Sequence, residues 1–338
     1  MTTTKHLLEG GQDPASGSGY PQPPPRMGFF TDTSVCIGCK ACEVACKEWN
    51  VIPDDGLSLL GMSYDNTGML GADTWRHVAF VEQDRPLGRQ NNAVAVLPTG
   101  PSVSAHNARV VAAGLGEEHG ARLGTETGAV RMAPMPDGRH PAPITADGRT
   151  ELRWLMASDV CKHCTHAACL DVCPTGSLFR TEFGTVVVQE DICNGCGYCV
   201  PACPYGVIDQ RKDDGRVWKC TLCYDRLGVG QEPACSKACP TDSIQFGPLD
   251  ELRERAAHRV EQLHDAGVVE ARLYGADPDD GVGGAGAFFL LLDDPEVYGF
   301  PPDPVVTTRD LPAIWRHTVV AAVAVGAIVL AAFAGARR

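Results

Sequence analysis

Sixteen cysteines dominate the chemistry open to this chain. They form four runs: Cys36-x2-Cys39-x2-Cys42-x3-Cys46, Cys161-x2-Cys164-x4-Cys169-x3-Cys173, Cys193-x2-Cys196-x2-Cys199-x3-Cys203, and Cys220-x2-Cys223-x11-Cys235-x3-Cys239. Three runs are followed at once by proline, at Pro174, Pro204 and Pro240. Thiolates at this spacing suit iron–sulfur chemistry. A cubane of four irons and four sulfides needs one thiolate per iron, approaching from four directions. Two-residue gaps let a short loop wrap one corner, supply three ligands and turn backbone N–H groups toward the sulfides. The fourth cysteine of each run follows about one helical turn after the third, so it points away and serves a neighbouring cluster. The proline after it donates no N–H and stops the chain from continuing as helix. The sixteen thiolates thus predict four 4Fe–4S sites in two interlocked pairs.

The same residues weigh against two other uses. Structural zinc takes its four ligands as two separated Cys-x2-Cys pairs, whereas three cysteines at two-residue gaps plus a fourth crowd one loop. Cysteine is about 5% of the chain, below the density of a disulfide scaffold. Residues 1–30 lack the charged start and apolar core of a secretory signal. The spacing is the bacterial ferredoxin pattern, written twice.

Composition sets the frame around these ligands. The 338 residues suffice for two domains. With 29 basic and 42 acidic residues the net charge is −13, which disfavours a nucleic-acid partner. Aromatics make up only 7%, while 37 glycines and 25 prolines imply much loop. Iron–thiolate bonds would pin such loops, coupling metal binding to folding. Neither a GxGxxG after a strand nor a Walker pattern is evident, so no nucleotide loop is expected.

The expected fold class is α+β: two interlocked dicluster-ferredoxin-like units with long loops, plus a C-terminal transmembrane helix. Residues 1–30, rich in Gly, Ser and Pro, read as a flexible tail. Residues 31–247 read as the double ferredoxin domain, with an inserted loop region at 81–150 that carries a helix near Ala105–Leu115. A helix over Lys40–Trp49 would place Cys42 and Cys46 on one face, and Asp73–Phe80 alternates as a strand. Hairpins are expected from Leu178–Arg180 with Val186–Val188, and from Val207–Ile208 with Val217–Trp218 across Asp213-Asp214-Gly215. Each would shield a cluster from water. Residues 248–312 read as a cap: Leu249, Leu252, Ala256, Val260 and Leu263 recur at helical spacing, and Phe288–Leu292 is a strand-length apolar run. His77 reads as structural, and His163 and His166 as groups outside the ligand set or at the surface, because the cysteines leave no metal in want of a ligand.

Residues 313–338 read as a membrane anchor. Thr318–Ala336 is nineteen residues without a charge, about 28 Å of helix and close to a bilayer core. Trp315, Arg316 and His317 stand at one end and Arg337-Arg338 at the other, leaving orientation undecided by charge. No histidine lies inside the span to ligate a haem, and one helix cannot enclose a quinone pocket, so an integral membrane partner is expected. Its Ala and Gly content favours close packing on another membrane helix.

This arrangement resembles the iron–sulfur (beta) subunit of membrane-bound formate dehydrogenase, among the four-cluster ferredoxin-type subunits of molybdopterin oxidoreductases. The resemblance covers roughly residues 28–330 apart from 81–150. It rests on the cysteine runs, Met27-Gly28-Phe29-Phe30-Thr31-Asp32, Gly281-Val282-Gly283-Gly284, Pro295-Glu296-Val297-Tyr298 and the terminal span. It implies a cluster on Cys36, Cys39, Cys42 and Cys239, and a second on Cys46, Cys220, Cys223 and Cys235. It also implies a third on Cys161, Cys164, Cys169 and Cys203, and a fourth on Cys173, Cys193, Cys196 and Cys199. Cys196 stands where some relatives carry tryptophan and a three-iron cluster, so four cubanes are expected. The implied role is a non-catalytic electron wire in the cell membrane. It would run from a molybdenum or tungsten alpha subunit that oxidises formate to a membrane cytochrome b or quinone-interacting subunit. The soluble part is expected on the cytoplasmic face. Equivalent subunits of a hydrogenase, a polysulfide or thiosulfate reductase, or a sulfoxide reductase would look much the same; a zinc-bound, tail-anchored scaffold is the alternative of another class.

Overall fold

The computed structural model describes residues 18–56, 64, 65, 67–83 and 153–335. The chain divides into two compact units, one of residues 1–81 with 155–338 and the other of 82–154. Nearly all of the second unit lies outside the described residues, as do the helix expected near 105–115 and residues 1–17 of the expected tail.

The first unit is built on a four-stranded sheet with the order β8-β1-β10-β9, where β1 is Met27–Asp32, β8 Ile244–Pro248, β9 Arg272–Tyr274 and β10 Ala287–Leu291. Strand β10 reads Ala-Phe-Phe-Leu-Leu and is buried at every position, as a strand covered on both faces should be. Alternation then divides its side chains. Phe288 and Leu290, with Phe30 of β1, pack against Leu249, Leu252 and Ala256 of the helix α6 (Leu249–Asp265). Phe289 and Leu291, with Phe29, face the cysteine-bearing segments. The sheet is thus a partition between a helical cover and the metal-binding half. Arg259 of α6 pairs with the wholly buried Asp32 of β1 at 3.0 Å and ties the cover down.

Two expectations change here. Residues 27–30 are not tail: they form strand, and Phe29 and Phe30 are fully buried. The close approach of β1 to β10 needs Gly28, because a Cβ there would sit 2.2 Å from the Gly286 carbonyl oxygen. Nor is the 248–312 segment a separate cap. Its strand β10 pairs in parallel with β1 (Phe29 opposite Ala287, Phe30 opposite Phe288), so it completes the sheet that residues 27–32 begin.

Phe289 is fully buried and lies 5.0 Å from the Phe300 ring. Phe289→Ala should therefore destabilise the unit by about 3–5 kcal/mol. The check is an anaerobic urea titration followed by circular dichroism; an unchanged midpoint would refute it.

Smaller elements carry the cysteines. Helix α1 spans Ala41–Trp49. Strand β2 runs Arg76–Gln83 and pairs with β3, Arg153–Val160. The strand expected at Asp73 starts later, because Gly71 and Thr74 first close a tight bridge. Strands β4 (Leu178–Arg180) and β5 (Val186–Val188) form the expected antiparallel hairpin. The second hairpin pairs β6 (Asp209–Gln210), not Val207–Ile208, with β7 (Val217–Trp218). The exposed polar pair carries the ladder, while Val207 and Ile208 turn inward. Short helices lie within the runs: α2 (Ala168–Asp171), α3 (Cys199–Ala202), α4 (Tyr224–Leu227) and α5 (Ala234–Lys237).

The last helix, α7, runs Leu311–Gly335 and begins before the expected span, taking in Trp315, Arg316 and His317. Its stretch Ile314–Ala334 has a mean hydropathy of 2.2 and no part of it is buried. It is long and apolar enough to cross a bilayer.

Candidate metal centres

Helix α1 starts from Lys40, held at φ 60, and presents Cys42 and Cys46 one turn apart, both buried. Their sulfurs go to different places. Cys36, Cys39, Cys42 and Cys239 wall one cavity, with about 290 Å3 not filled by protein. Gly38 makes the turn between the first two at φ +64, where a Cβ would strike the Phe80 ring at 2.6 Å. Cys46 instead lies among Cys235, Cys220 and Cys223. The Asn50 side-chain amide stands 3.8 Å from the sulfurs of both Cys46 and Cys223, and Arg76 Nη2 donates to Cys235 Sγ at 3.3 Å.

Cys161, Cys164, Cys169 and Cys203 wall a second cavity, of about 380 Å3 not filled by protein. Val186 of the first hairpin closes it, together with Val207, Ile208 and Tyr205. Cys199 has Cys173, Cys196 and Cys193 as its neighbours. Cys39 and Cys196 are exposed, so the Cys36 and Cys173 groups each reach the surface.

The donors fit an iron–sulfur group. Among the described residues, which include all sixteen cysteines, no three His, Cys, Asp or Glu side chains converge as holders of a single metal ion. The sulfurs instead surround volumes. His163 Nε2 and Arg76 Nε are buried beside these groups without a partner among the described residues, as donors awaiting sulfur would be. Burial pushes Cys36 and Cys42 up to about 11 and Cys169 up to about 12, so iron must displace a proton from each. Cys173 goes the other way: its slight burial is outweighed by the N–H of Leu178 and by the hydroxyl of Thr175.

The histidines divide. His77 Nε2 bonds Asp65 at 2.8 Å inside the fold, a structural pair. His163 is not at the surface; it is buried and lines the Cys161 cavity. Its Nδ1 accepts the Val186 N–H at 3.1 Å, which leaves the proton on Nε2. Burial and the neighbouring Lys219, Arg26 and Arg180 hold its basicity well below the usual range. Sequence reasoning missed Arg76 and Lys219, both 2% exposed. A lysine or arginine reads by default as surface, and only the adjacency of Lys219 to Cys220 hinted otherwise.

Cysteine groups of this kind, on short helices and hairpins behind one sheet, define a ferredoxin-type electron carrier. Two matches to 4Fe–4S dicluster domains agree, over residues 35–177 and 152–249. The chain is 35% identical over 308 residues to the nitrate-inducible formate dehydrogenase iron–sulfur subunit of Escherichia coli (strain K12), covering 90% of this chain and 81% of the relative. It is 35% identical over 307 residues to the formate dehydrogenase iron–sulfur subunit of Haemophilus influenzae, covering 89% and 76%. The B subunit of the anaerobic dimethyl sulfoxide reductase of Escherichia coli is 29% identical over 230 residues, covering 68% and 77%. The chain belongs to the family of formate dehydrogenase iron–sulfur subunits, and its role is 4Fe–4S electron transfer.

Proposed function

We propose that this chain is the four-cluster wire of a membrane-bound formate dehydrogenase and has no catalytic site of its own. A molybdenum or tungsten subunit would oxidise formate, and a membrane cytochrome b or quinone-reducing subunit would receive the electrons. The observation that supports the reading is a pair of cavities, each lined by four cysteines, with Cys46 and Cys199 each lying among three more. Cys36, Cys39, Cys42 and Cys239 would hold the first cluster, and Cys46, Cys220, Cys223 and Cys235 the second. Cys161, Cys164, Cys169 and Cys203 would hold the third, and Cys173, Cys193, Cys196 and Cys199 the fourth. Each cluster, once bound, takes up and passes on one electron. The protein fixes the order, excludes water and sets the charge around each group. The interlocking of the Cys36 and Cys46 groups in this proposal draws support from Cys42 and Cys46, neighbours on one helix that face different groups.

Features of the two ends support a direction. Thr308, just before α7, hydrogen-bonds Asp171 of α2, between Cys169 and Cys173. The membrane helix thus starts beside the Cys173 group, which would deliver electrons to the membrane partner. The Cys36 group, flanked by the exposed Ile37 and Val44, would receive them from the catalytic subunit. In this proposal the soluble residues lie on the cytoplasmic face, which protease added to spheroplasts reads directly.

The test is the metal content of the complex drawn from membranes by this chain, handled without air, with formate-driven dye reduction measured alongside. About sixteen irons on this chain, four to a cluster, with molybdenum or tungsten and formate activity are expected. The likeness to a dimethyl sulfoxide reductase B subunit gives the second reading: iron without formate activity, but with sulfoxide reduction. Zinc in place of iron would end both.

A further inference from the structure

Two cations lie in the interior between cysteine groups. Arg76 Nη2 donates to Cys235 Sγ at 3.3 Å, and its Nη1 donates to Ser158, to the carbonyl at 3.1 Å and the hydroxyl at 3.2 Å. That hydroxyl in turn lies 3.2 Å from Cys42 Sγ. One guanidinium thus touches the Cys46 group directly and the Cys36 group through a single hydroxyl. Lys219 Nζ donates to the carbonyls of Val186 and Cys220, the latter at 3.0 Å, and bonds the Cys161 side chain. It stands between the Cys46 group and the Cys161 group. Among the described residues neither cation meets a carboxylate. Lys162 shows the contrast: equally buried, it pairs with Asp159 and lies 4.6 Å from the centre of the Phe300 ring. A cation taken from water without an anion is costly, and the cost is recovered only where a negative partner supplies the field. Four thiolates make a bound cluster net negative, so each cation has an anionic group on either side.

We propose that Arg76 and Lys219 are counter-charges shared by successive clusters, each raising the reduction potentials of the two clusters it separates. Arg76 serves the Cys36 and Cys46 groups; Lys219 serves the Cys46 and Cys161 groups. The Cys46 group, touched by both, is raised most. The Cys173 group, in which Cys173 itself is bonded by backbone N–H groups and Thr175, lies beyond their direct contacts. When one electron arrives no bond forms or breaks and no proton is needed; the fixed positive charge offsets the added negative one. The inference rests on the ligand sets proposed above.

The test is a potentiometric titration of the intact complex, followed by electron paramagnetic resonance, in Lys219→Gln and Arg76→Gln and in the charge-keeping Lys219→Arg and Arg76→Lys. Each glutamine variant should make two of the four clusters at least tenfold less reduced at a fixed applied potential, a shift of 59 mV for one electron. One cluster should move in both, and one in neither. The charge-keeping variants should restore most of the shift. Full iron with all four potentials unmoved, or moved equally, would overturn the inference. So would a shift as large in the charge-keeping variants. If one glutamine variant fails to assemble, its charge-keeping partner and the other site decide. Failure of the ligand sets is read separately: Cys42→Ser and Cys235→Ser would then disturb one cluster between them rather than two.

Discussion

Cys46→Ser should leave the Cys36, Cys39, Cys42 and Cys239 group loaded and empty the group of Cys220, Cys223 and Cys235. The result is unexpected from chain order alone, since Cys46 belongs to the first run. It follows from α1, where one helical turn separates Cys42 from Cys46 and sends their sulfurs to different neighbours. A serine hydroxyl keeps the shape but is a hard, weakly acidic donor in place of a soft thiolate. Iron should fall from about sixteen to about twelve atoms per chain. In the path proposed above the four groups stand in series, so loss of an inner one should break it. Formate oxidation coupled to a dye at the catalytic subunit should persist, while quinone reduction falls to background. Loss of the Cys36-group signal instead, or quinone reduction at the unaltered rate, would refute the ligand set.

The parts of this design that the sequence discloses are local. The loops that present three thiolates depend on gaps of two residues, and α6 depends on apolar residues repeating at helical spacing; all five of these lie within its observed bounds, Leu249–Asp265. What the sequence conceals depends on partners far along the chain. Strand β1 is six residues with a glycine, next to prolines, and its first four read as tail; only its pairing with β10, more than 250 residues on, makes it the middle of a sheet. The second hairpin slips because Val207 and Ile208, the residues with strand character, are needed in the wall of the Cys161 cavity. Which fourth cysteine joins which trio is likewise nonlocal, and only the family resemblance suggested it. The buried cations are hidden for a different reason. In the proposal above, clusters offset the burial of Lys219 and Arg76, and a residue type alone does not carry that context.

Val325→Arg should release the chain's hold on the bilayer while leaving the cysteine groups intact. Val325 lies at the middle of the Ile314–Ala334 span and is 60% exposed. None of the described residues covers it, as suits a side chain that faces lipid or a partner helix. An arginine at the centre of a membrane helix costs about 2.5–3.5 kcal/mol on insertion scales. The span can ill absorb that, since it is built largely from alanine and valine rather than leucine or phenylalanine. The partition into membrane should fall roughly a hundredfold, a factor of ten for each 1.4 kcal/mol. Alkaline carbonate extraction of membranes containing this chain without its partners reads the change, because it strips peripheral protein whatever its state of folding. The unaltered chain and Val325→Leu should stay in the pellet, and Val325→Arg should move to the supernatant. Retention of the arginine variant in the pellet would mean that α7 does not hold the chain by crossing the bilayer. The path proposed from the Cys173 group to a membrane acceptor would then lose the argument that its position beside the start of α7 provides.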